Sequence, residues 1–377
     1  MIPDDRHPST DELADCALGA LERAQATAIN AHVARCAPCR KLLGQLYGLP
    51  ELLSNIRYPP IPEPVTIRIG TALADAVRQR ADLFSARSGT WGRQGVVDSP
   101  AGLGPFYHLC WVFNSTADWA DCAVEYMADG VVAGQCVQLF GDASTATLRA
   151  EVAELLSSMP ASRAAAAGAV EVRDLADHFE CADDGIADPE ATMAARQAAL
   201  VDALAAGYTG LRTIADCTPV VRTEAQRDAA TRLEFLGDRA MKSLPMAGMC
   251  SYNAADIGPD AAAEMACVHP LICQGAAPFR LYPERDADFG LAGRIDDVAA
   301  EALFRTALER TPPPAGSELI VDARRADSID DRALADLDAH AARMGRTAVV
   351  RMTKSNSPST AALSSLTSLR VEVSKSS

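Results

Sequence analysis

The sequence predicts a multidomain chain: a small all-α metal-binding module, then an α/β domain with a largely parallel sheet, then a small α/β unit. Three observations carry this. His32, Cys36 and Cys39 crowd into "HVARCAPCRK" within a short helical segment. From Phe106 onward strand-like and helix-like stretches alternate, which is the grammar of a parallel sheet. After "LICQGAAPF" the same grammar restarts on a smaller scale. A length of 377 residues leaves room for two or three domains. The boundaries fall at 1–50 for the helical module, 51–103 for a Pro/Gly-rich linker with an amphipathic helix, 104–278 for the larger α/β domain and 279–377 for the smaller one.

In the first segment, Ser9 followed three residues later by Glu12 forms a capping box that opens "TDELADCALGAL". "LERAQATAINAHVARC" restarts with helix formers. Pro38 is excluded from a helix interior but fits a first turn, so one helix ends at "CAP" and the next begins there. "YPPIPEP" is a stiff linker, and the second half of "VTIRIGTALADAVRQRADLFSAR" (65–87) has helical amphipathicity. "SGTWGRQGVVDSPAGLGP" (88–105) reads as a second, glycine-rich linker.

In the larger α/β domain, "FYHLCWVF", "CVQLFGD", "AVEVRDL", "GLRTIAD" and "MAGMCSYN" read as strands. "STADWADCAVEYMADGVVAG", "TATLRAEVAELLSSM", "DPEATMAARQAALVDALAAGY", "TEAQRDAATRLEFLGDRAMKSL" and "GPDAAAEMACVHP" read as helices. The smaller unit offers strands in "FGLAGRID", "SELIVDAR", "TAVVRM" and "LRVEVS". Its helices are "DVAAEALFRTALER", "DRALADLDAHAARMG" and the short "SPSTAALSSL".

Bulk properties narrow the function. A net charge of −15 disfavours a nucleic-acid surface, which needs clustered Lys and Arg. No apolar run approaches the length of a membrane span. The start, "MIPDDRHPSTDEL", lacks the basic and apolar regions of a signal peptide, so the cytoplasm is the expected compartment. Eleven cysteines, mostly scattered singly through apolar runs, read as buried thiols rather than a disulfide framework.

Specific enzymatic signals are missing. "QLFGDASTATLRAEV" stands where a phosphate loop would stand, yet a Walker A loop needs lysine after glycine. The lysines here are Lys41, Lys242, Lys354 and Lys375, and none follows a glycine. There is no nucleophile elbow and no catalytic metal motif with an open position, so the expectation is a protein that is not an enzyme.

His32 and Cys36 are one helical turn apart and Cys39 follows across the proline step. Two thiolates and an imidazole suit a tetrahedral Zn²⁺. The fourth donor is His7 or Cys16. In a module with few large apolar side chains, metal binding would contribute folding energy. The H-x3-C-x2-C motif, a short preceding helix and the upstream histidine resemble the zinc-binding anti-sigma factor domain of bacterial regulators, over about residues 5–50. The resemblance implies one Zn²⁺ per chain held by His7, His32, Cys36 and Cys39. It also implies a sigma factor or other regulatory protein as partner. Some members release the sigma factor when oxidants attack the thiolates, while many keep zinc only as structure.

A second resemblance covers about 104–275. His108 in the first strand, "GYTGLR", the glutamate of "LEFLGD", "CSYN" and the histidine before Pro270 are similar to the MEDS sensory domain, a distant relative of RecA- and KaiC-like ATPases. It implies sensing of a small-molecule ligand rather than catalysis. His108, Arg212, Asp216, Glu234, Tyr252 and His269 lie on these motifs and are the candidate ligand-binding residues. Asp216 and Arg212 fall near a strand's C-terminal end, where open α/β sheets bind ligands.

A third resemblance covers about 279–375: "FGLAGRIDDVAAEALFRTALE", "SELIVDARRADSIDDRALADL", "TAVVRM" and "LRVEV" look like a STAS domain, the fold of anti-sigma-factor antagonists. That family carries a phosphorylatable serine or threonine at a helix start. Here the matching turn holds Asp330 and Asp331, with Asp331 in the serine position, so a docking turn with a fixed negative charge is expected. Together these features predict a cytoplasmic signal-transduction regulator of transcription that works through protein contacts. The alternative is a ligand- or nucleotide-binding sensor with a purely structural zinc site and no sigma-factor partner.

Overall fold

The computed structural model describes residues 94–373, apart from 104–105, 143–169, 313–315, 355 and 357–363. It also describes residues 7–9, 12, 13, 29, 32, 36, 38 and 39. The helices expected at 65–87 and 145–159, and most of that at 357–366, lie outside the described residues.

The first sheet has seven strands: β1 (Gly95–Val97), β2 (Tyr107–Phe113), β3 (Cys136–Gly141), β4 (Val170–Asp174), β5 (Leu211–Asp216), β6 (Met246–Asn253) and β7 (Leu271–Cys273). Their order is β1-β7-β2-β6-β5-β3-β4. Every pairing is parallel, as the alternation with helices requires. Strands β2, β3 and β6 are almost wholly buried, so they are near-continuous apolar runs.

The helices are α1 (Thr116–Val132), α2 (Pro189–Ala205), α3 (Glu224–Met241), α4 (Ala254–Ile257) and α5 (Pro259–Ala266). Each long helix opens on a cap written in the sequence. Ser115 accepts from the Asp118 amide at 3.2 Å and Asp188 from the Ala191 amide at 2.8 Å. Thr223 and Gln226 form a full capping box.

The second sheet has the order β12-β11-β10-β9-β8. Its strands are β8 (Phe279–Tyr282), β9 (Phe289–Ile295), β10 (Glu318–Ile329), β11 (Thr347–Met352) and β12 (Leu369–Val373). Only β8 runs antiparallel to its neighbour. Helices α6 (Val298–Arg310) and α7 (Asp331–Arg343) belong to this unit.

The two sheets share a core. Phe235 of α3 meets Phe289 of β9 edge to face at 5.6 Å, and Cys267 and Val268, just after α5, join the apolar cluster of the second sheet. Polar contacts reinforce the junction. Arg310 at the end of α6 reaches Glu264 of α5 at 2.6 Å and Asp228 of α3 at 2.5 Å.

The structure differs from the sequence expectation at three short strands. β1 lies inside the stretch read as linker, and β7 and β8 lie in a stretch to which the sequence assigns no element. Strands of three or four residues are too short for alternation to register. They exist because a neighbouring strand supplies hydrogen bonds. β10 also extends to Ile329, past "SELIVDAR", with register shifts after Asp322 and after Ala326.

Candidate functional site

At the N-terminus the described residues include Ser9, Glu12 and the four predicted metal ligands. The Ser9–Glu12 capping box is present in both directions, at 3.1 Å and 2.8 Å. The Cys36 amide bonds the His32 carbonyl at 2.9 Å, the single helical turn that puts both side chains on one face. His7 closes the set. Its Nδ1 lies 3.2 Å from Cys39 Sγ, 3.3 Å from Cys36 Sγ and 3.3 Å from His32 Nε2. The four donor atoms lie within 4.8 Å of one another.

With metal–nitrogen and metal–sulfur distances typical of zinc, tetrahedral donors sit roughly 3.3–3.8 Å apart. The donor set and spacing therefore suit a tetrahedral ion. Burial and the neighbouring Cys36 push the Cys39 thiol up to about 11, so its protonated form is favoured when no cation is bound. Cys16, the other candidate fourth donor, lies outside the described residues.

In the central domain, side chains alternate across strands and so sort the candidate residues onto two faces. His108 on β2 and Cys250 and Tyr252 on β6 point to the side covered by α3 and α5. Arg212 points the other way, toward α1. The register explains this: His108 pairs with Gly248 and Cys110 with Cys250, so His108, Cys250 and Tyr252 share one face.

On that face five groups converge. Glu234 of α3 places Oε2 3.0 Å from His108 Nε2, 3.4 Å from Cys250 Sγ and 3.5 Å from His269 Nε2. Cys250 Sγ is 3.5 Å from His108 Nε2, and Tyr252 donates to Glu234 Oε1 at 2.9 Å. His269 Nδ1 is 2.8 Å from the Met265 carbonyl, which only accepts, so the proton sits on Nδ1 and Nε2 carries a lone pair. All these side chains are buried.

The electrostatics follow from the packing. Burial opposes charge on His108, but Cys250 and Glu234 outweigh it and raise its pKa to about 10. Burial opposes ionisation of Glu234 too, yet His269 and His108 hold it well below the usual carboxylate range. Burial, then the His108 charge, lowers His269 to about 4, so it is cationic, and holds Glu234 ionised, only in acid and is neutral near pH 7.

Arg212 and Asp216 do not join this cluster, and Arg212, the second residue of β5, lies at that strand's N-terminal end rather than near the C-terminal end expected from the sequence. Arg212 is fully buried and donates to Gln135 Oε1 at 2.8 Å, the Tyr107 hydroxyl at 2.9 Å and the Tyr126 carbonyl at 3.0 Å. Its guanidinium also lies over the Tyr126 ring at 4.7 Å. These contacts bind α1 to the sheet. Asp216, at the end of β5, accepts from the Thr218 amide at 3.0 Å and hydroxyl at 2.5 Å, and burial raises its pKa. It shapes the turn after the strand.

The sequence reasoning named His108, Glu234, Tyr252 and His269 but passed over Cys250. The signal was its position two residues before Tyr252 in "CSYN", which places both on one strand face. β2 ends at Phe113 and α1 begins at Thr116, a two-residue connection. A cleft of about 410 Å³ opens beside this connection, at the C-terminal ends of β1, β7 and β2. Trp111, Phe113 and Val97 supply apolar walls, and Asp98, Asp118 and Cys122 supply polar groups.

Residues 107–270 match the MEDS family model, the MEthanogen/methylotroph, DcmR Sensory domain. No curated protein matches the chain. The MEDS match spans β2 through α5 and holds every member of the buried cluster, so the sensory assignment attaches to the parallel-sheet unit and suggests a signalling or regulatory role. Asp330 and Asp331 lie outside it, at the start of α7. Asp330 is the cap, accepting from the Ala333 amide at 2.8 Å, and the exposed Asp331 is the first helical residue. Asp331, which occupies the expected serine position, is not the cap. The cap falls one residue earlier because Asp330 keeps extended backbone geometry. Among the described residues, no helix is long and apolar enough to cross a membrane.

Proposed function

We propose that the chain is a bacterial signal-transduction regulator of transcription that acts by binding, without turnover. The observation that carries the proposal is the MEDS match over the parallel-sheet unit. In this reading a small organic ligand enters the cleft at the C-terminal edge of the sheet, whose volume falls in the range of small-molecule sites. Helices α3 and α5 connect the sensory unit to the C-terminal unit through the shared core and the Arg310 contacts, a physical route for a signal.

The N-terminal module is read as a zinc-binding anti-sigma-like unit with His7, His32, Cys36 and Cys39 as ligands. Bound zinc would supply folding energy to a module with little core of its own. The C-terminal unit is read as STAS-like, supported by its mixed five-stranded sheet and by the α7 start, where Asp330 and Asp331 present negative charge. A sigma factor or other regulatory protein is the partner of one of these two units, in the cytoplasm. Affinity purification of the full chain tests this: a sigma factor should accompany the wild type and be lost in Cys36→Ala.

A second reading keeps the sensor and drops the sigma factor, leaving zinc a structural role. It is favoured by the confinement of the family match to the central unit. Absence of any sigma factor from the purified chain, together with a rise in Tm on adding a small organic compound, would select it.

A further inference from the structure

The sensory core holds a second His/Cys cluster whose geometry asks for a cation. We infer that His108, Glu234, Cys250 and His269 form a buried binding site for a divalent transition-metal ion, zinc being the closest match to the donor set. This site is separate from the N-terminal quartet and does not depend on the sigma-factor reading.

The first argument is spacing. The four donor atoms lie within 4.8 Å of one another, and the distances around Glu234 Oε2 are 3.0, 3.4 and 3.5 Å. Tetrahedral N, O and S donors around zinc sit roughly 3.3–3.8 Å apart. Two imidazoles, a carboxylate and a thiolate are a borderline-soft set that suits zinc over magnesium or calcium.

The second argument is an orphaned lone pair. The Met265 carbonyl fixes the proton of His269 on Nδ1, so Nε2 faces the Glu234 carboxylate as a second acceptor. His269 Nε2 is fully buried and has no hydrogen-bond partner. An ion pair between His108 and Glu234 satisfies His108 Nε2 but leaves His269 Nε2 aimed at negative charge. A cation between the acceptors resolves this.

The third argument is support and charge. Metal-binding histidines commonly donate their other ring nitrogen to a carbonyl, and ligating carboxylates are oriented by further hydrogen bonds. His269 has the first feature, through Met265, and Glu234 the second, through Tyr252. One carboxylate and one thiolate neutralise a divalent ion, so a dry core would hold no net charge. Binding displaces the proton of the Cys250 thiol and any proton held on His108 Nε2 to solvent.

The test uses the full chain with Cys36→Ser and Cys39→Ser, which disables the N-terminal quartet. The inference expects about one equivalent of Zn²⁺ to survive desalting. X-ray absorption fine structure should report a shell of one sulfur and three nitrogen or oxygen atoms. In the Co²⁺-loaded form, a thiolate-to-metal charge-transfer band should vanish in Cys250→Ser. No metal in the folded chain, a shell with no sulfur or with several, or a band that survives Cys250→Ser would each overturn the site. If Cys250→Ser fails to fold, the fine structure of its parent decides, because that measurement leaves the core untouched.

Discussion

The N-terminal quartet takes three of its four donors from the stretch His32–Cys39. The core quartet draws its donors from β2, α3, β6 and the turn after α5. The first is partly exposed, with His7 open to solvent, while the second is buried throughout. The chemistry is similar and the settings are opposite. A local motif brings its donors together within a short segment that carries few large apolar side chains. A dispersed cluster needs the whole sheet to be built first, and its register then fixes the geometry. Metal in the proposed outer site would be tied to the folding of its own module, and metal in the inferred inner site to the state of the sensory domain.

Four outcomes break or sharpen this contrast. The largest concerns the outer site. Structural zinc contributes on the order of 10 kcal/mol to small modules, so Cys36→Ala should abolish ordered structure in residues 1–50. It should leave the main unfolding transition of the sheet units unchanged, as read by hydrogen exchange beside calorimetry. Loss of both together would erase the distinction. Next comes the inner site, in the metal-free chain. Glu234→Ala strands buried His108 and the Tyr252 hydroxyl and should cost about 3–5 kcal/mol in a denaturant titration. A change below about 1 kcal/mol would mean that the cluster bears no strain on removal.

The third outcome is a pH effect outside both quartets. Burial and then the Arg196 guanidinium hold the His178 pKa well below its ordinary value of 6.5. Its Nε2 is 2.9 Å from Arg196 Nη2, which donates to it. Below about pH 6.5 the unfolded chain binds a proton that the folded chain refuses. Stability should therefore fall with falling pH, by up to ~1.4 kcal/mol per unit from this group. Replacing His178 with Gln should flatten that slope between pH 6.5 and 5.5. The smallest effect is at α7. Asp330→Ala removes the cap and should cost about 1 kcal/mol, whereas Asp331→Ala should cost only a few tenths. Equal losses would extend the capping role to Asp331.

Much of this architecture is legible in the sequence. Long strands such as "MAGMCSYN" and capped helices such as the one after Thr223 carry their own periods and caps, and the structure places them where those signals fall. The H-x3-C-x2-C motif is equally legible, since one helical turn suffices to join His32 and Cys36. What the sequence hides is register. Arg212 and His108 read alike, as polar groups in apolar strands, but alternation sends them to opposite faces of the sheet. Cys250 reads as one more buried thiol until pairing with β2 brings it to His108, far away along the chain. Strands β1, β7 and β8 are invisible for the same reason, because their existence depends on a neighbour rather than on their own residues.

The most direct measurement is the release of metal from the intact chain to a chromophoric chelator, followed over time. Two equivalents should leave in two phases, a fast one from the partly exposed quartet and a slow one limited by opening of the core. Cys36→Ala should remove only the fast phase. Release of a single equivalent in one phase that vanishes in Cys36→Ala would contradict the account, leaving the core quartet a histidine–glutamate ion pair with no metal.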